Sequence, residues 1–346
     1  MQSLMEKEIF EIPKSIASCI DYNQGIFDDI KRCIDEKSIK FIMIAARGTS
    51  DHAGEYFKYI VESQIGLPVI LAAPSITTMY HSQYKLADAL VVGISQSGMA
   101  ADVIEVIENG NKSGALTIGI TNNLYSNLAK AAQKHLYCNC GEEKSVAATK
   151  TFVSQLTLLA KLACVLKGQC NIEDELQKAA QDIEEILNKK DEIYEIAKSF
   201  ASMESCFTLS RGYNYPIAKE SALKLQECTY VEAKSYSTSD FMHGPIAMID
   251  DESNCFIYSN EDRFTEELVA GAKKIKEYGA RVIVFSNNRD LLEIGDVSIE
   301  VTGASIDMIS PFYMAVAIQL FACGLAKAKG INPDKPRHLK KVTITK

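Results

Sequence analysis

A glutamate, a lysine and a second glutamate stand at positions 220, 224 and 227 of this 346-residue chain, within YPIAKESALKLQECTY. If that stretch is a helix opening near Pro216, a natural first-turn residue, the three fall at i, i+4 and i+7. Ile217, Ala218, Ala222 and Leu225 then form the opposite, apolar face. A positioned carboxylate can serve as a general base. The same spacing also suits a solvated Glu–Lys–Glu ladder worth about a few tenths of a kcal/mol per pair. Farther on, His243 lies in FMHGP. A histidine there is either structural or a proton shuttle, since an imidazole titrates near neutrality.

A second cluster is rich in hydroxyls. The apolar run LVVGIS ends in Ser95-Gln96-Ser97-Gly98, and FIMIAA is followed by Arg47-Gly48-Thr49-Ser50. Both read as turns from a strand into a helix. Free backbone N–H groups and the helix dipole favour an anion there, ligands of open parallel sheets bind beyond the strands' carboxyl ends, and glycine lets a backbone come close. Gly48, Thr49, Ser50, Ser95, Gln96 and Ser97 are therefore candidate phosphate-binding residues. The competing reading is that the hydroxyls are helix N-caps.

The elements that must position these groups repeat. Strand-like and helix-like patterns alternate, as in an α/β fold with parallel sheets. FIMIAARGTS at 41–50 is echoed by CFTLSRGYN at 206–214, LVVGIS at 90–95 by CFIYSN at 255–260, and GALTIGITNN at 114–123 by GARVIVFSNN at 279–288, each 164 or 165 residues on. Three matches at nearly one offset indicate duplication of a compact unit. The copies differ where it matters: Ser95-Gln96-Ser97-Gly98 becomes Ser259-Asn260-Glu261-Asp262, whose carboxylates would repel a phosphate. The expected organisation is a helical segment over 1–37, a first domain over 38–165, a helical connector over 171–200, a second domain over 201–330 and a tail over 331–346.

Composition bounds the rest. The formal charge of −8 and dispersed Lys and Arg argue against nucleic acid as the main partner. No apolar run approaches the roughly 20 residues of a membrane span. The start of the chain has no signal-peptide pattern. Ten cysteines without a CxxC pair suggest reduced core thiols in a cytoplasmic protein.

The motifs ARGTS, ISQSG, VAATKTF, YPIAKESALKLQECTY, FMHGP and DKPRHLKKVT, in this order from about residue 45 to the C-terminus, resemble the sugar isomerase (SIS) family. The likeness is greatest to the isomerase half of the glutamine–fructose-6-phosphate transaminases and their stand-alone relatives. It implies two tandem SIS domains, each a flavodoxin-like three-layer αβα unit, and a homodimer whose active site is shared between subunits. It implies that Ser50, Ser95, Gln96 and Ser97 hold a sugar phosphate and that Val146 makes a backbone contact to the sugar. Glu227 matches the base acting between C1 and C2, Lys224 orients the open-chain sugar, and Glu220 beside them is expected to bind substrate. His243 matches a ring-opening histidine reaching across from the neighbouring subunit, and Lys341 a tail lysine at the substrate carbonyl. Met99-Ala100 stands where the family pattern has Glu-Thr, Ala148 replaces a serine, and Lys340 replaces a small residue. No glutaminase domain precedes these motifs, so the expected reaction is cofactor-free deamination of glucosamine 6-phosphate to fructose 6-phosphate and ammonia. The alternatives are a deglycase of 6-phosphorylated fructosyl-amino acids, a plain aldose–ketose isomerase, or a non-catalytic phosphosugar sensor.

Overall fold

The computed structural model describes residues 2–168 and 171–341. The N-terminal helical segment is two helices, α1 (Leu4–Phe10) and α2 (Ile12–Asp35), interrupted at Glu11. Pro13 explains the break. Its ring lacks an N–H and clashes with the preceding turn inside a helix, but it is tolerated in a first turn, so the helix restarts there.

The first copy runs β1 (Phe41–Ala45), α3 (Thr49–Gln64), β2 (Val69–Leu71), α4 (Ser75–Thr78), β3 (Ala89–Ile94), α5 (Ala101–Lys112), β4 (Leu116–Thr121), α6 (Asn127–Ala131), β5 (Lys134–Tyr137) and α7 (Lys150–Lys167). Helices α8 (Glu173–Asn188) and α9 (Lys190–Lys198) follow. The second copy runs β6 (Ser205–Ser210), α10 (Tyr215–Thr229), β7 (Glu232–Ser237), α11 (Thr238–Met242), β8 (Asn254–Ser259), α12 (Thr265–Glu277), β9 (Arg281–Ser286), α13 (Arg289–Ile294), β10 (Val297–Glu300) and α14 (Ser310–Ala328).

Each copy builds a five-stranded parallel sheet, ordered β2-β1-β3-β4-β5 in one and β10-β9-β8-β6-β7 in the other. Counted from its own first strand, the second order is the first read backwards, so both are the doubly wound 2-1-3-4-5 arrangement. The sequence repeat is thus a repeat of topology.

Side-chain alternation gives each sheet two buried faces, as parallel sheets require. In the first copy Met43, Ala45 and Val91 pack with Val103, Val106 and Ile107 of α5. Ile44, one residue out of phase, faces the other way, against Gly54 of α3. In the second copy Leu209, Ile257 and Val284 meet Leu268, Ala272 and Ile275 of α12. Phe256 and Phe285 point oppositely, onto Phe321 of α14 at ring-centroid distances of 5.3 and 5.8 Å.

The chain divides into two compact units. One holds residues 14–143, 150–177 and 340–346, and so the first sheet. The other holds residues 1–13, 144–149 and 178–339, and so the second. Thirteen N-terminal residues belong with the second sheet because α1 is fastened there. The backbone N–H groups of Leu4 and Met5 each donate to the Asp334 carboxylate at 2.8 Å, and Glu6 pairs with Lys327 and Lys190.

Two composition-based expectations change. Residues 307–328 form a helix long and apolar enough to cross a membrane, contrary to the expectation of no such run, but 94% of its 18-residue apolar window is buried inside the fold. Cys164 is disulfide-bonded, so the thiols are not all reduced. Cys19, Cys33, Cys138, Cys140, Cys206, Cys228, Cys255 and Cys323 are free, and Cys170 lies outside the described residues.

Candidate active site

The hydroxyl cluster sits at the carboxyl ends of β1 and β3, neighbours in the first sheet. Helix α3 has Gly48 as its N-cap and α5 has Ala100, and neither has a side-chain cap. The N-cap reading of the serines therefore fails. What the hydroxyls do instead is accept. Ser50 Oγ accepts from Gln155 Nε2 at 3.1 Å, Ser95 Oγ from the Gly98 N–H at 3.2 Å, and Ser97 Oγ from the Met99 N–H at 3.3 Å. Among the described residues none of the three gives its own proton to a protein acceptor. Three hydroxyl protons are left to donate, beside two uncapped helix N-termini, which is what an anion requires.

Gly98 shapes the cradle. Its φ of 65° is a conformation that side chains disfavour, and a Cβ there would lie 2.2 Å from Ser126 Oγ. Arg47 Nε donates to the buried Asp102 carboxylate at 2.7 Å, tying the end of β1 to the first turn of α5. Gln155 escaped the sequence reading. It is 1% exposed, and its sequence neighbours give no sign that its amide holds Ser50, 105 positions earlier.

The Glu220–Lys224–Glu227 stripe lies in the other unit, on α10, which packs against α14, β6 and β7. The solvated-ladder alternative is overturned: the Glu220 and Lys224 side chains have no exposed surface. Lys224 Nζ lies 3.4 Å from Glu220 and donates a hydrogen bond to Glu227. Burial pulls the Lys224 pKa down, but Glu220 and Glu227 more than offset it, so the ammonium is held above its usual range. Glu227, with 24% of its side chain exposed, is the member of the trio that reaches solvent. A fixed buried cation thus backs the one accessible carboxylate.

The remaining predicted residues have local settings of their own. His243 is exposed and ends α11, its N–H bonded to the Asp240 carbonyl at 3.2 Å. Val146 is half-buried in the bend before α7. Lys341 Nζ donates to the Glu143 carboxylate at 2.6 Å, and Glu143 also accepts from the Thr151 N–H at 3.1 Å and Thr151 Oγ1 at 2.8 Å. Glu143 was not anticipated. Its wholly buried side chain anchors the predicted tail lysine to the first turn of α7. Tail residues 342–346 lie outside the described residues.

Comparison with known proteins decides the family. The SIS domain model matches twice, over residues 37–164 and 199–326. The chain belongs to the SIS domain family. Among the curated SIS relatives, the isomerizing glutamine–fructose-6-phosphate aminotransferase of Bacteroides thetaiotaomicron is 34% identical across 98% of this chain and 58% of its own length. The chain therefore spans a little over half of such relatives. The C-terminal domain of glucosamine-fructose-6-phosphate aminotransferase from Francisella tularensis superposes with a TM-score of 0.85 at 27% identity, covering 97% of this chain and 99% of that one. A glucosamine-6-phosphate deaminase from Thermotoga maritima gives 0.71 at 21% identity, over 97% and 100% of the two chains. At that identity the likeness is one of fold.

Proposed function

We propose that this SIS protein acts on an open-chain 6-phosphosugar and moves a proton between C1 and C2, interconverting glucosamine 6-phosphate with fructose 6-phosphate and ammonia. The observation that carries the reading is the α10 trio: an accessible Glu227 carboxylate bonded to a buried Lys224 whose charge Glu220 helps fix. Phosphate binding alone needs no such group, so the trio favours an enzyme over a sensor. The three donating hydroxyls of Ser50, Ser95 and Ser97 supply the phosphate end, and the relatives' names supply the amino sugar.

In this scheme His243, contributed by the second subunit of a homodimer, helps open the sugar ring. Glu227 takes the proton from C2 of the aminoaldose and returns it to C1, while O1 gains a proton and the amino nitrogen loses one, leaving a C1 alcohol and an imine at C2. Lys224 orients the open chain and steadies Glu227 between the two transfers. Water adds at C2 and ammonia leaves, which balances glucosamine 6-phosphate plus water against fructose 6-phosphate plus ammonia. Lys341 and the backbone at Val146 meet the sugar end.

The test is a panel of glucosamine, galactosamine and fructosyl-amino acid 6-phosphates, with ammonia and free amino acid both measured. Ammonia from an aminosugar phosphate, lost in Glu227→Gln, is the expected result. Amino-acid release without ammonia, or binding without turnover of any member, would overturn it.

A further inference from the structure

The duplication raises the question of why the second copy lacks a phosphate cradle, and the answer is more than charge repulsion. At the offset of 164, Gly48, Ser50, Ser95 and Ser97 correspond to Gly212, Asn214, Ser259 and Glu261. The backbone at the first pair is shared, with φ of 53° at Gly48 and 60° at Gly212. Glu261 turns back into that pocket and is 2% exposed. Its Oε1 accepts from the Asn214 N–H and from Asn214 Nδ2, both at 3.3 Å, and the Tyr213 backbone also bonds to the carboxylate. A Cβ built on Gly212 would lie 2.6 Å and 2.8 Å from the two carboxylate oxygens, which gives the closeness of the approach.

We propose that the second copy is a self-occupied anion site, in which the Glu261 carboxylate takes the place that a ligand phosphate takes in the first copy. The proposal rests on the phosphate reading of the first cradle. The donors that would meet an anion are present and already used, by a carboxyl group that the chain carries itself. A second observation points the same way. Asn214 is fully buried, and its Oδ1 finds no hydrogen-bond donor among the described residues, although its Nδ2 donates to Ser310 Oγ at 2.8 Å and to Glu261 Oε1 at 3.3 Å. Asn214 therefore carries a buried acceptor that the Glu261 carboxylate leaves unused, and a hydrogen phosphate, unlike a carboxylate, brings a hydroxyl that can donate. Each chain then offers one phosphosugar site from two SIS copies, because one copy is stoppered from within.

Removing the stopper should open the second site. Inorganic phosphate is titrated calorimetrically at pH 8 into the full chain, its Glu261→Ser and Glu261→Gln variants, and a Ser95→Ala/Ser97→Ala control. The expected stoichiometry is one phosphate for the wild type, two for E261S, one for E261Q, whose amide oxygen still accepts, and one for E261S combined with the cradle control. A folded E261S that takes only one phosphate overturns the proposal. If instead the wild type takes none and E261S takes one, the first-cradle reading fails while the stopper stands. Should E261S be too unstable to titrate, its melting temperature is compared in phosphate and in chloride at equal ionic strength. A rise specific to phosphate supports the self-occupied site, and equal melting in the two salts contradicts it.

Discussion

Lys224 Nζ, without exposed surface, lies 3.4 Å from Glu220 and bonds to Glu227 one turn later, so a single ammonium serves two carboxylates on one helix face. Removing one partner of a buried ion pair leaves the other charge uncompensated. Lys224→Met should therefore lower stability by about 3–5 kcal/mol. Glu220→Gln combined with Lys224→Met should recover most of that loss while leaving turnover abolished. Urea unfolding with a parallel ammonia assay measures both. A single variant as stable as the wild type would show that the lysine is not held as described.

Gln155 should act through Ser50. Its amide occupies an acceptor position of the Ser50 hydroxyl and leaves the proton to point at ligand. Gln155→Leu should raise KM for the phosphosugar roughly tenfold, the worth of about one hydrogen bond to a charged group, with kcat within about twofold. A fall in kcat at constant KM would place Gln155 in the chemistry instead.

Glu143 should matter through Lys341. Glu143→Gln keeps an acceptor for Thr151 but loses the charge that pairs with the tail. Its melting temperature should stay near that of the wild type while kcat falls about as far as in Lys341→Met. A Glu143→Gln enzyme with wild-type kcat would disconnect that ion pair from catalysis.

Glu261 gives a pH signature. Burial above all, then the nearby Asp307, pushes its carboxyl up to about 7 from a usual 4.5, against the opposing pull of the Asn214 and Tyr213 backbone and of Arg263. A raised folded-state value means that this group's contribution to stability is complete below about pH 4.5 and lost as pH rises through about 7. The loss is on the order of 3 kcal/mol. Glu261→Gln should remove that dependence, so its stability relative to the wild type should climb between pH 5 and pH 8. A constant difference across that range would contradict the raised value.

Much of this architecture was legible because buried strands such as LVVGIS and RVIVFS are continuous apolar runs, repeated at one offset. The edge strands β5, β7 and β10 were not, since sequences such as KHLY and EAKSYS carry too little apolar signal to stand out. The trio was visible by spacing, but its burial was not. A helix face that is polar in sequence reads as solvated until α14 is packed upon it. Gln155 and Glu143 act over 105 and 198 positions, as partners of Ser50 and Lys341, and no local pattern announces such a contact. Glu261 was read by its charge alone, whereas its role follows from where that charge is folded back.

Glu227 is the group that moves the proton in the proposed reaction. The direct measurement is solvent deuterium incorporation at C1 of fructose 6-phosphate in D2O, followed by proton NMR, for the wild type and Glu227→Gln. The wild type should exchange one C1 proton, and the variant, folded and binding inorganic phosphate as before, should exchange it at least about a hundredfold more slowly. Exchange by Glu227→Gln at the wild-type rate would contradict the account.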